Sequence, residues 1–426
     1  MIPKIFHFIK KPTSLNIIIN SLGNVVNVGF ITFFALVLVR ILPPIQYGSL
    51  SVLLGIAYVL ANVLDFGTSA TIYSYLPQKI EKRENIHQFL KTIFAFQTIF
   101  SSIIVLLLFI FFPYLDKILF KTGVSQWELY LTAFSVLFLI WQNYAMNALF
   151  AAKRFFQANL YLNLSNILKT LVLFIIIFFN KISVGIVIFI FGILGPLLFF
   201  IFLFFEKKYH FIMIVKAPIE RKEFRFSYTL TYFLGMQFFN LASRIDLFLL
   251  SFFYPQTSLL GHYGLAQKII LTLMASITSI TQVLSPSMAN VSEKKEAKKQ
   301  LINGLYYLLI PSFLYLLLAL TPSFIFEIVF TKKYLPTAAI THLLSLSYAF
   351  LPIINLFQIF LLYARKKPAY ILKANFIFFL IALLGNWFFI PKFNVFAPAI
   401  VYGIGFLVSA IYLFWATIKE YRQIKN

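Results

Sequence analysis

Residues 88–113 read QFLKTIFAFQTIFSSIIVLLLFIFFP, a run whose one charge is Lys91. Lys79, Lys82 and Arg83 stand before it, and Pro113 closes it. About 20 apolar residues are enough for a helix to cross a hydrocarbon core about 30 Å thick. Water is absent from that core, so the backbone must satisfy its own hydrogen bonds, which a helix does within one segment. Barrel strands would be about 10 residues long and alternating. The stretch therefore reads as a membrane-spanning helix with a basic segment at one end.

The same pattern recurs along the whole chain. Of 426 residues, 61% are hydrophobic and 12% charged, about half the charge of a soluble domain. Twelve spans are expected, over 14–39, 48–74, 88–113, 126–149, 157–180, 182–205, 226–253, 258–287, 302–322, 337–363, 370–390 and 395–418. Breakers such as Pro43-Pro44, Pro113, Pro218, Pro255, Pro336 and Pro391 separate them. The N-terminal segment Met1–Lys11 is basic and shows no small-residue cleavage site, so the first apolar run reads as a retained helix.

Charge gives the orientation. Every second gap, with both ends, holds 26 of the 36 Lys and Arg residues, while the opposite gaps hold seven. The seven are Arg40, Lys117, Lys121, Lys181, Lys332, Lys333 and Lys392. The positive-inside rule then places both termini in the cytoplasm, in a cell (inner) membrane. The formal charge of +23 belongs to this topology and does not point to nucleic acid. The outer gaps are too short for an extramembrane catalytic domain.

Two halves echo each other. Tyr47-Gly48 before the second span matches Tyr263-Gly264 in the eighth. Phe150-Ala-Ala-Lys153-Arg154 matches Tyr363-Ala364-Arg365-Lys366, and Asn180 matches Asn394. The offsets are 216, 212 and 214 residues. Six helices followed by six in the same orientation make a parallel repeat, an arrangement that places a pathway between lobes. The expected domains are a lobe over 1–205, a cytoplasmic linker over 206–225, and a lobe over 226–426. Under the 216-residue offset Asn24 falls on Asn240.

Polar residues in spanning helices are costly and turn toward the bundle interior or a wet cavity. Residues three or four apart share a helix face. The first span carries Asn16, Asn20, Asn24 and Asn27 at that spacing; the second carries Asn62, Asp65 and Ser69. The fifth carries Asn159, Asn163, Asn166 and Lys169. The seventh carries Gln237, Asn240 and Arg244, and the eighth Lys268, Thr272, Ser276 and Ser279. Two roles fit each stripe: bonding between helices, at about 0.6–2 kcal/mol per contact, or lining a cavity. The candidate cavity residues are Asn20, Asn24, Asn27, Asn62, Lys169, Gln237, Asn240, Arg244 and Lys268. Asp65 and Asp246 are the candidate ion-coupling carboxylates.

Several chemistries have no residues to carry them. There is no cysteine, and the five His residues stand at no metal-ligand spacing. No phosphate-binding Gly-rich loop is present, so nucleotide hydrolysis is not expected. No metal, no cofactor and no enzyme activity are anticipated.

The quoted segments resemble a known family. Leu38-Val-Arg-Ile-Leu-Pro-Pro-Ile-Gln-Tyr-Gly-Ser-Leu50 and Val63-Leu-Asp65-Phe-Gly67 resemble the first and second helices of the O-antigen and capsular polysaccharide flippases. These belong to the multidrug/oligosaccharidyl-lipid/polysaccharide (MOP) exporter superfamily. Arg244-Ile-Asp246-Leu-Phe-Leu-Leu and Gly261-His-Tyr-Gly-Leu-Ala-Gln-Lys268 resemble their seventh and eighth helices, and Phe326-Glu-Ile-Val-Phe-Thr-Lys-Lys-Tyr334 resembles their ninth-to-tenth connection. The resemblance implies an all-α membrane protein, with two six-helix lobes facing a central cleft and working by alternating access. It implies a polyprenyl-pyrophosphate-linked oligosaccharide carried from the inner to the outer leaflet for surface polysaccharide synthesis. The cations Lys169, Arg244 and Lys268 would meet the pyrophosphate. Glycan polymerase or assembly proteins are the implied partners, beside the bilayer itself, and sodium or protons the candidate coupling ions. Two rival readings stand: a cation-coupled drug or metabolite antiporter of the same superfamily, and a membrane glycan polymerase or ligase.

Overall fold

The computed structural model describes residues 12–120, 122–205, 211–254, 258–330, 332 and 335–424. Met1–Lys11, linker residues 206–210, Lys121, Pro255, Lys333 and Tyr334 lie outside the described residues. Among the described residues the ordered elements are helices and turns. Ten continuous helices are long and apolar enough to span a membrane, and one of these, 55 residues from Pro368 to Arg422, contains two spans. A bent pair, Ser49–Val63 with Thr68–Glu81, adds the second span. Among the described residues twelve spans result, with Pro368–Phe393 and Ala397–Arg422 taken as two helices.

The chain forms two compact units, Met1–Phe226 and Ser227–Asn426. In the first unit the spans are Pro12–Ile41, Pro44–Glu81, Ile86–Leu115, Gln126–Ala151, Phe155–Phe178 and Val184–Phe204. Its core gathers Phe34, Leu50, Leu53, Phe112, Leu129 and Phe191. Part of the expected linker folds onto this unit. Gln88 donates to Glu220 at 2.5 Å, and Lys79 pairs with Glu223 at 3.0 Å and Glu84 at 2.9 Å. Phe96 and Phe224 stack with centroids 3.8 Å apart.

In the second unit the spans are Phe226–Phe253, Ser258–Ala289, Lys294–Ala319, Thr337–Ala364, Pro368–Phe393 and Ala397–Arg422. The ninth begins at Lys294, eight residues before the apolar run expected at 302, because Lys294, Lys295, Lys298 and Lys299 continue the helix beyond the membrane. A short helix, Ser323–Phe330, follows it. At the other end of the tenth span the Arg365 guanidinium donates to Glu420 at 3.2 Å, and Tyr370 donates to the same carboxylate at 3.1 Å.

Two spans depart from a simple rod. The second, expected as one segment over 48–74, breaks at residues 64–67 and bends by 47°. Phe66 and Gly67 both have positive φ, 49° and 76°. Gly67 carries no Cβ and takes that conformation without strain. The sixth span contains a π-turn at Ile190–Leu194 just before Pro196. Proline has no N–H to continue the ladder, so the preceding turn widens.

Candidate functional site

An amide seam joins the first and fifth spans. Asn159 Nδ2 donates to Asn20 Oδ1 at 2.9 Å and to its own helix at Phe155 O. One turn further, Asn163 donates to the Gly23 carbonyl at 3.2 Å; a turn beyond that, Asn166 donates to Asn27 at 2.8 Å. Asn20, Asn159 and Asn166 are buried. Gly23 permits the approach: a Cβ there would sit 2.3 Å from Asn159 Oδ1. Asn20 and Asn27, candidates for lining a cavity, thus bond helix to helix. Asn24 lies beside them, half-buried.

Lys169 continues the seam one turn past Asn166. It is buried, with Nζ 5.8 Å from the Phe34 ring centre and 5.4 Å from that of Phe191. Gly195 makes room for its stem, since a Cβ there would meet Lys169 Cδ at 2.7 Å. No carboxylate pairs with it among the described residues. Aromatic faces attract a cation electrostatically, and here they take the place of a counter-ion.

The second unit repeats one bond of this seam and replaces the others. Asn375 donates to the Gly235 carbonyl at 3.0 Å, which is the Asn163–Gly23 bond displaced by 212 residues at each end. At the same offset the Asn27–Asn166 bridge becomes the stacked pair Phe239–Phe378, 5.9 Å between ring centres. Lys153 and Lys366, and Asn180 and Asn394, also share positive φ. The shared bond corrects one expectation. Within the helices the offset is 212, so Asn24 matches Met236 and Asn240 matches Val28. The 216-residue offset of the loop motif is longer by four residues, about one turn.

Asp246 holds the position that Phe34 has in the first unit. Its carboxylate is buried and accepts from the Tyr263 hydroxyl, from Gln267 Nε2 at 3.0 Å and from the Leu247 N–H at 2.7 Å. Tyr402, on the last span, donates to the Ala242 carbonyl one turn away. Each unit therefore buries one ionisable group at this level, a base in the first and an acid in the second. Sequence reading selected Asp246 but not Tyr263, Gln267 or Tyr402. The available signal was the i, i+4 spacing of Tyr263 and Gln267.

The remaining candidates are dispersed. Asn62 is exposed, and Gln237 is half-buried. Asp65 sits in the break of the second span and caps its second half. It accepts from Thr68 Oγ1 at 2.8 Å, Ser69 Oγ at 2.7 Å and the Ser69 N–H, and Gln97 of the third span reaches it at 3.4 Å. Gln97 is a further residue that sequence reading missed.

Asn240, Arg244 and Lys268 are all exposed. Arg244 lies four residues past Asn240, one turn along the same helix face. No carboxylate forms a salt bridge with Arg244 or Lys268 among the described residues. The eighth span, which carries Lys268, exposes no large hydrophobic side chain at all among the described residues. Its exposed positions include Gly261, Lys268, Thr272, Ala275 and Thr278. The twelfth span, by contrast, exposes Ile404, Leu407, Ile411 and Phe414. A cation facing acyl chains costs at least about 2.5–3.5 kcal/mol, so the eighth span's open face is unsuited to lipid. Among the described residues no three His, Asp or Glu side chains cluster as metal ligands.

Comparison with known proteins agrees with this architecture. An uncharacterized membrane protein of Methanocaldococcus jannaschii is 25% identical over 406 residues, covering 89% of this chain and 79% of that protein. A MOP-superfamily transporter of Pyrococcus furiosus, described as having a binding pocket of reverse polarity, shares the fold with a TM-score of 0.74 at 13% identity over 98% of both chains. A mutant of the MATE transporter VcmN of Vibrio cholerae gives 0.74 at 13% identity, over 96% of this chain and 95% of that one. A family model described as polysaccharide biosynthesis protein matches residues 15–292, more than half of the chain. This multi-pass membrane protein, with the fold of the MOP-superfamily transporters, belongs to the polysaccharide biosynthesis protein family.

Proposed function

We propose that the protein is a transporter that flips a polyprenyl-pyrophosphate-linked oligosaccharide from the cytoplasmic to the outer leaflet by alternating access. The observation that carries this reading is the open face of the eighth span, which offers hydroxyls, small side chains and Lys268 where a lipid-facing helix offers leucine and phenylalanine. Arg244 adds a second exposed cation. A head group of sugars and pyrophosphate needs hydroxyl and amide partners along its path and positive charge at its phosphates. The family's place in polysaccharide biosynthesis supports the glycan, and the shared fold supports moving cargo across the bilayer.

Coupling, in this reading, falls to one of two carboxylates, Asp65 or Asp246, with a proton or sodium as the driving ion. Neutralising each in turn and measuring cation-dependent flipping identifies which.

The test is reconstitution into vesicles with a defined lipid-linked glycan, scored by a glycan-modifying probe that reaches only the outer leaflet. Arg244→Ala and Lys268→Ala are each expected to abolish exposure of the glycan, while the protein stays inserted and folded. Both side chains are exposed, so their loss opens no core. Wild-type flipping in both variants defeats the proposal. Cation-dependent dye efflux by the wild type, without flipping, makes the chain an antiporter instead.

A further inference from the structure

On the first unit a groove of about 610 Å³ lies between the third, fourth and sixth spans. Its walls include Phe94, Phe138, Trp141, Phe200, Phe204 and Phe205, and the rest of the lining is Leu197 and Ile201. The Trp141 N–H, the one polar group of this lining, donates to Thr98 Oγ1 at 3.1 Å. Such a wall offers water no partners. The groove is open, since Ile201, Phe204 and Phe205 on its rim are 51%, 57% and 74% exposed. It has the size of a ligand pocket, about 300–1,000 Å³.

The groove has a direction. Trp141 stands ten residues before Ala151, where the fourth span ends. That is about 15 Å, half the hydrocarbon core. Phe204 and Phe205 mark the other end, at the close of the sixth span. The groove thus runs from mid-membrane to the positively charged side, which the positive-inside rule makes cytoplasmic. Lys91 sits there, one turn before Phe94 and on the same side of the third span. It is half-buried and has no hydrogen bond or ion pair among the described residues.

We propose that this groove holds one acyl chain of an anionic phospholipid from the cytoplasmic leaflet, with the lipid phosphate on Lys91. A dry, concave, aromatic wall takes a hydrocarbon chain, and an unpaired ammonium at its mouth takes the phosphate. Basic side chains on the cytoplasmic side attract anionic lipid by about 1 kcal/mol each. The site is separate from Arg244 and Lys268, and its occupancy does not depend on what the protein transports.

The chain itself supplies the probe. It has four tryptophans. Trp127, Trp387 and Trp415 are all exposed, so replacing them with Phe leaves Trp141 as the sole reporter without opening the core. The protein is placed in phosphatidylcholine nanodiscs containing increasing fractions of a phospholipid brominated in mid-chain. Brominated phosphatidylglycerol should quench Trp141 at about one-fifth the mole fraction that brominated phosphatidylcholine requires. Fivefold corresponds to about 1 kcal/mol. Lys91→Gln should remove that preference while leaving quenching by both lipids, and a variant retaining only Trp127 should show no preference. Equal quenching of Trp141 by the two lipids overturns the proposal, as does a preference that survives Lys91→Gln. Absence of quenching by either lipid also overturns it, because a second protein copy or another segment then fills the groove.

Discussion

Gly23→Ala tests the amide seam directly. The added methyl would lie 2.3 Å from both Cγ and Oδ1 of Asn159, far inside van der Waals contact. Asn159 cannot yield without losing its bonds to Asn20 and Phe155, both 2.9 Å long. Interhelical amide bonds in membranes average about 0.6 kcal/mol and reach about 1.7. Overpacking a tight contact adds about 1–3 kcal/mol, and the better helix propensity of Ala returns about 1. The net expectation is about 1–4 kcal/mol of destabilisation, read as a lower midpoint on unfolding the purified protein with SDS in mixed micelles. Asn159→Gly removes the obstacle, including the Asn159 Cβ that would lie 2.5 Å from the new methyl. The double variant Gly23→Ala/Asn159→Gly should therefore be destabilised by less than the sum of the two single variants, a coupling of about 1–3 kcal/mol. Gly29→Ala, which would meet nothing within 4 Å, is the control and should be neutral or slightly stabilising. A Gly23→Ala protein with the wild-type midpoint refutes the seam, and so does strict additivity in the double variant.

The absence of cysteine provides a clean background for mapping the open face of the eighth span. Thr272→Cys and Ala275→Cys should react with a water-soluble maleimide in intact vesicles, whereas Leu407→Cys and Ile411→Cys should not. Equal labelling of all four contradicts a wet face. Asp65→Ala should destabilise the first unit by about 0.5–2 kcal/mol through loss of the cap, while Asp65→Asn, which keeps an acceptor oxygen, should destabilise it less in the same SDS titration. Lys79 stands in the last turn of the helix Thr68–Glu81, past the apolar run expected to end at residue 74. Burial lowers the pKa of its ammonium, but the Glu84 and Glu223 carboxylates more than offset this and raise it above the ordinary lysine value. Its hold on residues 220–224 should be complete below about pH 10.4 and weaken only as pH climbs through the raised value. Limited proteolysis of that segment should stay unchanged from pH 7 to 10 and should increase in Lys79→Gln at neutral pH.

The fold was largely readable because a bilayer reduces the problem to lengths of apolar chain. The fourth span, expected over 126–149, runs Gln126–Ala151, and the seventh ends where its apolar run ends. The break at residues 64–67 was not readable in the same way. Hydropathy continues on both sides of it, and Asp65 looks like another polar member of a stripe until its bonds to Thr68 and Ser69 show it starting a new helix. The amide stripes were visible as spacing, but spacing does not say whether an asparagine meets another asparagine or solvent. Asn20 meets one, whereas Asn240 remains open. Tyr263 and Tyr402 escaped because a tyrosine in an apolar helix reads as core until a buried carboxylate is found against it. The replacement of Asn27–Asn166 by Phe239–Phe378 was hidden because the loop motif and the helices carry different offsets.

The one seam bond common to both units, asparagine to glycine carbonyl, sits among unlike neighbours. In the first unit amides surround it and Lys169 lies one turn on; in the second the matching pair is aromatic and the buried ionisable group is Asp246. The halves are therefore not interchangeable: a chain made of two first units would hold two buried lysines and no matching acid, and one made of two second units two buried aspartates and no matching base.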